Sequence, residues 1–248
     1  MQVVILCGGK GTRMSSLTKD MPKPLINVGE IPIVVHIMNH FSSYGYNNFI
    51  LCTGYKKDAF FEYFSKESNP NWNVTILDTG EEAESASRIL QVASHLEDEF
   101  FLTYGDGVSN VNLCNLLKYH RTKETLITIT GVHPISSYGV IDVKDGFAID
   151  FKEKAKMREL INGGFMVIKK EALKYFNSHV SLEEGPLTFL ASKKQLAVFK
   201  HNDFWSSIDT VKDVERLNKI WSQGNAPWVI HNRRNDKYVE ESQSVSYR

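Results

Sequence analysis

The sequence is poor in cysteine, carries no excess of either charge and contains no long apolar run. Its three cysteines, Cys7, Cys52 and Cys114, are odd in number and far apart, which excludes a disulfide framework and a Cys-x-x-Cys metal site. They read as reduced, mostly buried side chains of a cytoplasmic protein. Lysine plus arginine and aspartate plus glutamate both number 29, so no global field draws the chain to nucleic acid or to an anionic membrane. Any anion site must be local. No stretch approaches the roughly 18 apolar residues of a membrane span. Gly8 and Gly9 cut the first apolar run short, so the N-terminus does not read as a secretory leader.

What is present begins with Val3-Val4-Ile5-Leu6, a β-branched run that breaks into Cys7-Gly8-Gly9-Lys10-Gly11-Thr12-Arg13-Met14 and then Met21-Pro22-Lys23-Pro24. A buried parallel strand that delivers a glycine-rich loop at its carboxyl end is a cradle for phosphate, because main-chain N–H groups can close on an anion. The spacing excludes a P-loop, since Lys10 is followed by Gly11, and a dinucleotide fingerprint, since Met14 stands where a third glycine is needed. Gly8, Gly9 and Gly11 would wrap a triphosphate. Arg13, planar and forked, and Lys23, a compact ammonium, would supply the positive charge.

Further along, helix- and strand-like segments alternate. Helices are expected over 31–44, 58–64, 86–95, 111–120 and 211–221, and strands over 49–52, 74–77 and 100–104. This order predicts an α/β, Rossmann-like fold: a mixed, mainly parallel sheet with helices on both faces and ligands at the strands' carboxyl ends. After residue 122 the strands 126–132, 140–143, 148–152 and 165–168 shorten, and Lys144-Asp145-Gly146 marks a hairpin. A small antiparallel portion grafted onto the first half is therefore expected, and it would receive the second substrate. The organisation predicted is one domain over 1–228, with a nucleotide-binding half to about 122, an acceptor-binding half from about 123, and a C-terminal extension over 229–248.

Two carboxylates follow strand-like runs. Asp106 is flanked by Gly105 and Gly107, and Asp209 follows Phe204-Trp205-Ser206-Ser207-Ile208 and precedes Thr210 at the head of a helix. Hard oxygen ligands at strand ends suit Mg²⁺. A turn aspartate and a helix N-cap are the structural alternatives.

The run G-G-x-G-T-R-M followed by P-K-P resembles the signature of nucleotidyltransferases that activate sugar phosphates, and among them the glucose-1-phosphate cytidylyltransferases. The resemblance covers the chain to about Trp228. Tyr104-Gly105-Asp106-Gly107-Val108 and Trp205-x-x-x-Asp209-Thr210 are similar to the family's metal segments, which implies that Asp106 and Asp209 hold Mg²⁺ and that Lys23, Arg13 and Asp106 are catalytic. Nucleotide contacts are implied for Leu6, Gly8, Gly9, Gly11, Thr12, Arg13, Tyr104, Gly105 and Asp106. Base choice is expected in Asp78-Thr79-Gly80 and the segment ending at Arg88, with Thr79, Gly80 and Arg88 in contact with the base of CTP. Tyr138-Gly139-Val140, Glu153-Lys154 and Ile161-Asn162-Gly163-Gly164-Phe165 resemble acceptor segments, which implies acceptor contacts at Gly139, Glu153, Lys154, Asn162 and Gly163. Ala155 stands where the family has proline after Glu-Lys, and the Phe64–Trp72 connection is shorter than in the glucose-specific enzymes. The implied activity is transfer of CMP to a sugar 1-phosphate for surface polysaccharide precursors, in a homo-oligomer. The rival readings are another phosphorylated acceptor, another nucleotide, or a non-catalytic nucleotide sensor.

Overall fold

A computed structural model describes all residues except 20, 68, 137 and 230–248, and the side chains of all described residues but Arg13, Ser15 and Ser16. The extension over 229–248 thus falls almost wholly outside the described residues. In chain order the strands are Val3–Leu6 (β1), Asn27–Val28 (β2), Ile31–Pro32 (β3), Asn48–Thr53 (β4), Asn73–Asp78 (β5), Glu99–Tyr104 (β6), Gly107–Ser109 (β7), Ile127–Val132 (β8), Val140–Lys144 (β9), Phe147–Lys152 (β10), Ile161–Asn162 (β11), Met166–Lys169 (β12), Leu196–His201 (β13) and Trp205–Ser207 (β14). The α-helices are Ser15–Thr18 (α1), Ile33–Ser42 (α2), Lys57–Lys66 (α3), Ser85–Gln91 (α4), Leu113–Lys123 (α5), Thr188–Ser192 (α6) and Val211–Ser222 (α7).

β1 lies at the heart of the main sheet, parallel to β4 on one side and β6 on the other, with β5 beyond β4. β12 runs antiparallel between β6 and β8, β13 is parallel to β8 on its other edge, and β11 continues along β8. Period-two alternation in β1 divides the core. Val3 and Ile5 pack with residues of α2, α5 and α7 on one face, while Val4 packs with Ile89 of α4 and Leu190 of α6 on the other. The second half of the chain therefore extends the same sheet with antiparallel strands, as the expected mixed sheet with a grafted antiparallel portion requires. What does stand apart is the β9–β10 hairpin, turned by Asp145 and Gly146, both at positive φ as a type I′ turn requires.

Helix α2 begins two residues later than its periodicity predicts, because Pro32, at φ −57° and ψ 148°, is extended and Ile31–Pro32 pairs with Asn27–Val28. The hairpin so formed is tied to α7, whose Asn218 Oδ1 accepts from the Gly29 N–H at 2.7 Å. In α3 only Phe60 of the aromatic face is buried, and Phe61 is exposed.

His120 illustrates the cost of the tight layer around α5. It is fully buried, with Nδ1 2.7 Å from Thr128 Oγ1, Nε2 without a hydrogen-bond partner and Glu99 Oε1 3.6 Å away. Burial depresses its pKa to about 4 despite Glu99. Since the folded value lies below the unfolded one of about 6.5, the stabilisation is complete above that pH and is lost as pH falls from there toward 4. Going from pH 7 to pH 5 is expected to cost about 2 kcal/mol through this group. Urea denaturation of wild type and His120→Gln checks it: the variant should lose that share of the acid sensitivity, and equal pH slopes would refute the assignment.

Candidate active site

The phosphate cradle begins where β1 ends. Cys7 N–H donates to the Cys52 carbonyl at 2.9 Å, so the sheet pairing runs into the loop. Gly8 cannot be anything larger, because a Cβ there would lie 1.9 Å from Arg88 Nη1. Gly11, at φ +60°, reverses the chain into the 3₁₀ turn Thr12–Met14, closed by the Met14 N–H on the Gly11 carbonyl at 2.9 Å. Burial pushes the Cys7 thiol well above its usual range, so it stays protonated and is no nucleophile.

Pro22 is extended and Pro24 sits in the first turn of the 3₁₀ segment Lys23–Leu25, with Pro24 and Leu25 buried. This strap fixes Lys23 beside the loop: a Cβ on Gly11 would meet Lys23 Cβ at 3.3 Å.

The two carboxylates are brought together by a ribbon of three residue pairs. Asp106 immediately precedes β7 and Asp209 follows β14 by two residues. β7 and β14 pair antiparallel with Gly107 opposite Ser207, and the Ile208 N–H donates to the Asp106 carbonyl at 3.0 Å. Lys23 Nζ lies 2.6 Å from Asp106 Oδ2 and 3.0 Å from Asp209 Oδ1. Burial opposes the charge on Lys23, but the two carboxylates outweigh it and raise its pKa above the ordinary lysine value. Asp209 is further held by Ser207 Oγ, which donates to Oδ2 at 2.9 Å, and by its own N–H on Asp213 Oδ2 at 3.1 Å. It is not the helix cap. Thr210 caps α7, in a capping box with Asp213. Two carboxylates aimed at one ammonium are hard donors that fit a single divalent cation. Among the described residues no cluster of three or more metal-ligating side chains exists, so phosphate oxygens and water would complete such a shell. The side chain of Arg13 lies outside the described residues. Its backbone is in the Thr12–Met14 turn.

Arg88, expected from the sequence to contact the base, lines the cavity and is held by acceptors around it. It is 4% exposed, and Nη1 donates to Thr53 O, Thr79 Oγ1 and Gly80 O at 3.1, 2.8 and 2.8 Å. Nη2 donates to Gly8 O and Glu81 O at 3.1 and 3.2 Å. One guanidinium thus ties the ends of β1, β4 and β5. Thr79 is likewise spent on the Thr53 carbonyl at 2.6 Å, and neither Thr79 nor Gly80 lines the cavity. Arg88→Lys should destabilise the fold by about 3 kcal/mol, because carbonyls buried around a missing fork go unpaired. Urea denaturation measures this, and a change under about 0.5 kcal/mol, typical of surface sites, would contradict it.

The cradle, Lys23, Asp106 and Asp209 open on one cavity of about 400 Å³, also lined by Leu6, Gly9, Thr12, Tyr104 and Arg88. Gly105 lies beneath its floor, close enough that a Cβ would sit 3.0 Å from Cys7 Sγ. Of the acceptor residues, Asn162 reaches it indirectly, with Nδ2 donating to the Tyr104 hydroxyl at 3.0 Å. Gly163 is pinned by Trp205 Nε1, which donates to its carbonyl at 2.8 Å. Gly139, Glu153 and Lys154 do not line the cavity. Gly139 packs under Phe151, and Glu153 and Lys154 are exposed just past β10, Lys154 at φ +54°. Sequence reasoning missed Glu183, which lines the cavity from a π-turn that leaves no periodic signal. The sequence matches the family described as Nucleotidyl transferase over residues 2–224.

The chain belongs to the nucleotidyl transferase family. It is 42% identical over 253 residues to the probable glucose-1-phosphate cytidylyltransferase of Bacillus subtilis (strain 168), covering 93% of this chain and 100% of that one. It is 35% identical to the glucose-1-phosphate cytidylyltransferase of Salmonella typhimurium, covering 92% of this chain and 98% of that one. A crystal structure of HddC from Yersinia pseudotuberculosis superposes with a TM-score of 0.70 at 22% identity, over 89% of this chain and 99% of that one. That likeness concerns the fold. As a nucleotidyl transferase the chain is an enzyme. Among the described residues no helix is long and apolar enough to cross a membrane.

Proposed function

We propose that this nucleotidyl transferase moves the cytidylyl group of CTP onto the phosphate of a sugar 1-phosphate, glucose 1-phosphate or a close relative, giving a CDP-sugar and pyrophosphate. The observation that carries the reading is Lys23 bridging Asp106 and Asp209 behind the glycine loop. Relatives named glucose-1-phosphate cytidylyltransferase support the choice of substrates. In this reading an acceptor phosphate oxygen attacks the α-phosphorus, the bond to the β-phosphate breaks in line, and pyrophosphate leaves. The acceptor is already ionised at neutral pH, so no side chain has to take a proton.

Loop N–H groups then hold the triphosphate, Lys23 balances charge on the α-phosphate and the incoming phosphate, and Arg13 takes the leaving group. Asp106 and Asp209 would hold Mg²⁺, which supplies Lewis-acid neutralisation of the crowded phosphates. Asn162 and Gly163, with Gly139, Glu153 and Lys154 brought in by the acceptor, would form the sugar site. We place the reaction in the cytoplasm, ahead of surface polysaccharide assembly.

The test is pyrophosphate release on mixing with Mg²⁺, one nucleoside triphosphate at a time and a panel of phosphorylated acceptors. Release with CTP and a sugar 1-phosphate is expected. Preference for another acceptor or nucleotide would redirect the substrate assignment, and none at all would favour a nucleotide sensor.

The enzyme should also be a homo-oligomer. The β9–β10 hairpin exposes Val143, Phe147, Ile149 and Phe151, at 65, 76, 64 and 63%, an apolar patch that monomers rarely leave bare. Light scattering after size exclusion should give a multiple of the 28.3 kDa chain mass, and Phe147→Asp with Ile149→Asp should reduce it. A monomeric wild type would contradict this.

A further inference from the structure

Glu183 puts a carboxylate on the wall of a cavity whose floor is shaped for phosphate, and the reaction proposed above gives it no task. Its position is rigidly made. It opens the π-turn Glu183–Leu187, in which the Leu187 N–H reaches back to the Leu182 carbonyl at 3.0 Å. Leu182 is fully buried and its N–H donates to Ser85 Oγ at 2.7 Å. Gly185 packs so closely that a Cβ would lie 2.5 Å from Val180 Cγ2. π-Turns are rare backbone and concentrate at functional sites.

One carboxylate oxygen accepts the Tyr104 hydroxyl, and the other lies 3.5 Å from Ser85 Oγ. Tyr104 accepts in turn from Asn162 Nδ2 at 3.0 Å. The Tyr104 hydroxyl, taking the Asn162 amide as donor, has its own proton free for the carboxylate. Among the described residues no cation pairs with Glu183. A carboxylate has about four lone-pair positions, and the two contacts here leave others open to the cavity. A phosphate cannot occupy them, since like charges repel, whereas a substrate hydroxyl can donate to them. Glu183 lines the cavity together with Ser85, at the head of α4, and with Tyr104, which links it to Asn162, so both the nucleoside and the acceptor can offer one.

We propose that Glu183, held in place by Tyr104, accepts a hydrogen bond from a substrate hydroxyl and makes the enzyme reject the corresponding deoxy compound. The inference rests on the cytidylyl-transfer reading. The hydroxyl belongs either to the ribose of the nucleotide or to the sugar of the acceptor, and the chemistry is the same for both. A site built to bond a hydroxyl discriminates because its own polar group goes unpaired when the analogue binds.

The experiment measures kcat/KM for wild type and Glu183→Gln in two arms. One compares CTP with its 2′- and 3′-deoxy analogues, and the other compares glucose 1-phosphate with deoxyglucose 1-phosphates. Wild type is expected to favour the parent about ten- to a hundredfold in one arm, as charged hydrogen bonds do. Glu183→Gln should lose a similar factor on the parent alone, mainly through KM, so that the preference collapses. The arm in which it collapses identifies the hydroxyl. Tyr104→Phe, which keeps the ring and removes the hydroxyl holding Glu183, should relax the same preference and serves if the first variant fails to fold. Equal losses on parent and analogue, or no preference in either arm, would overturn the inference while leaving cytidylyl transfer standing. A wild type that releases no pyrophosphate would overturn the underlying reading and this inference with it.

Discussion

Lys23→Ala is expected to lower kcat/KM for pyrophosphate release by on the order of 10³-fold, the scale of removing a charge aimed at a developing transition state. The ammonium sits between Asp106 and Asp209 at 2.6 and 3.0 Å, on a strap whose flanking prolines leave it little freedom. Lys23→Arg should rescue poorly, since a planar fork cannot occupy the position of a compact ammonium between two carboxylates. The raised pKa of Lys23 fixes the pH dependence. Its folded value lies above the unfolded one of about 10.4, so the ion-pair stabilisation is complete at neutral pH and fades only in strong alkali, as pH rises through the folded value. A steady-state assay with a coupled pyrophosphate readout measures the loss, and turnover within threefold of wild type would remove Lys23 from the chemistry.

Asp209→Asn should be comparably damaging, by about 10³-fold in kcat, with a rise in the Mg²⁺ concentration needed for half-maximal rate. The fold should hold. Thr210 and Asp213, not Asp209, cap α7, and Asn can keep the hydrogen bond from Ser207 Oγ. Thermal melting separates the two effects. A large fall in melting temperature with an unchanged metal requirement would mean that Asp209 serves the fold instead of the ion.

These residues differ in how plainly the sequence announces them. β1 and its loop are legible because their information is local: an apolar run, glycines at Gly8 and Gly11 where the backbone needs them, and prolines that stiffen the strap around Lys23. The hairpin is legible for the same reason, through Asp145-Gly146. The convergence of Asp106 and Asp209 depends on β7 and β14, three residues each and far apart in the chain, and no periodicity marks so short a ribbon. Arg88 is legible only in part. Its place beside a glycine turn is written locally, but its ties to carbonyls at the ends of β1, β4 and β5 appear only once those strands are assembled. An antiparallel portion grafted onto the first half is expected from the sequence, but that β12 is the strand that joins it, by pairing with β6, is not written in any local pattern.

The central claim is that two carboxylates far apart in the chain, Asp106 and Asp209, act as one cation site. Mn²⁺ binding in the presence of CTP, followed by electron paramagnetic resonance in wild type, Asp106→Asn, Asp209→Asn and the double variant, tests it most directly. The account predicts that either single substitution abolishes the tight CTP-dependent site and that the double variant is no worse than the singles. Tight Mn²⁺ binding that survives Asp209→Asn, or losses that add across the two positions, would contradict it.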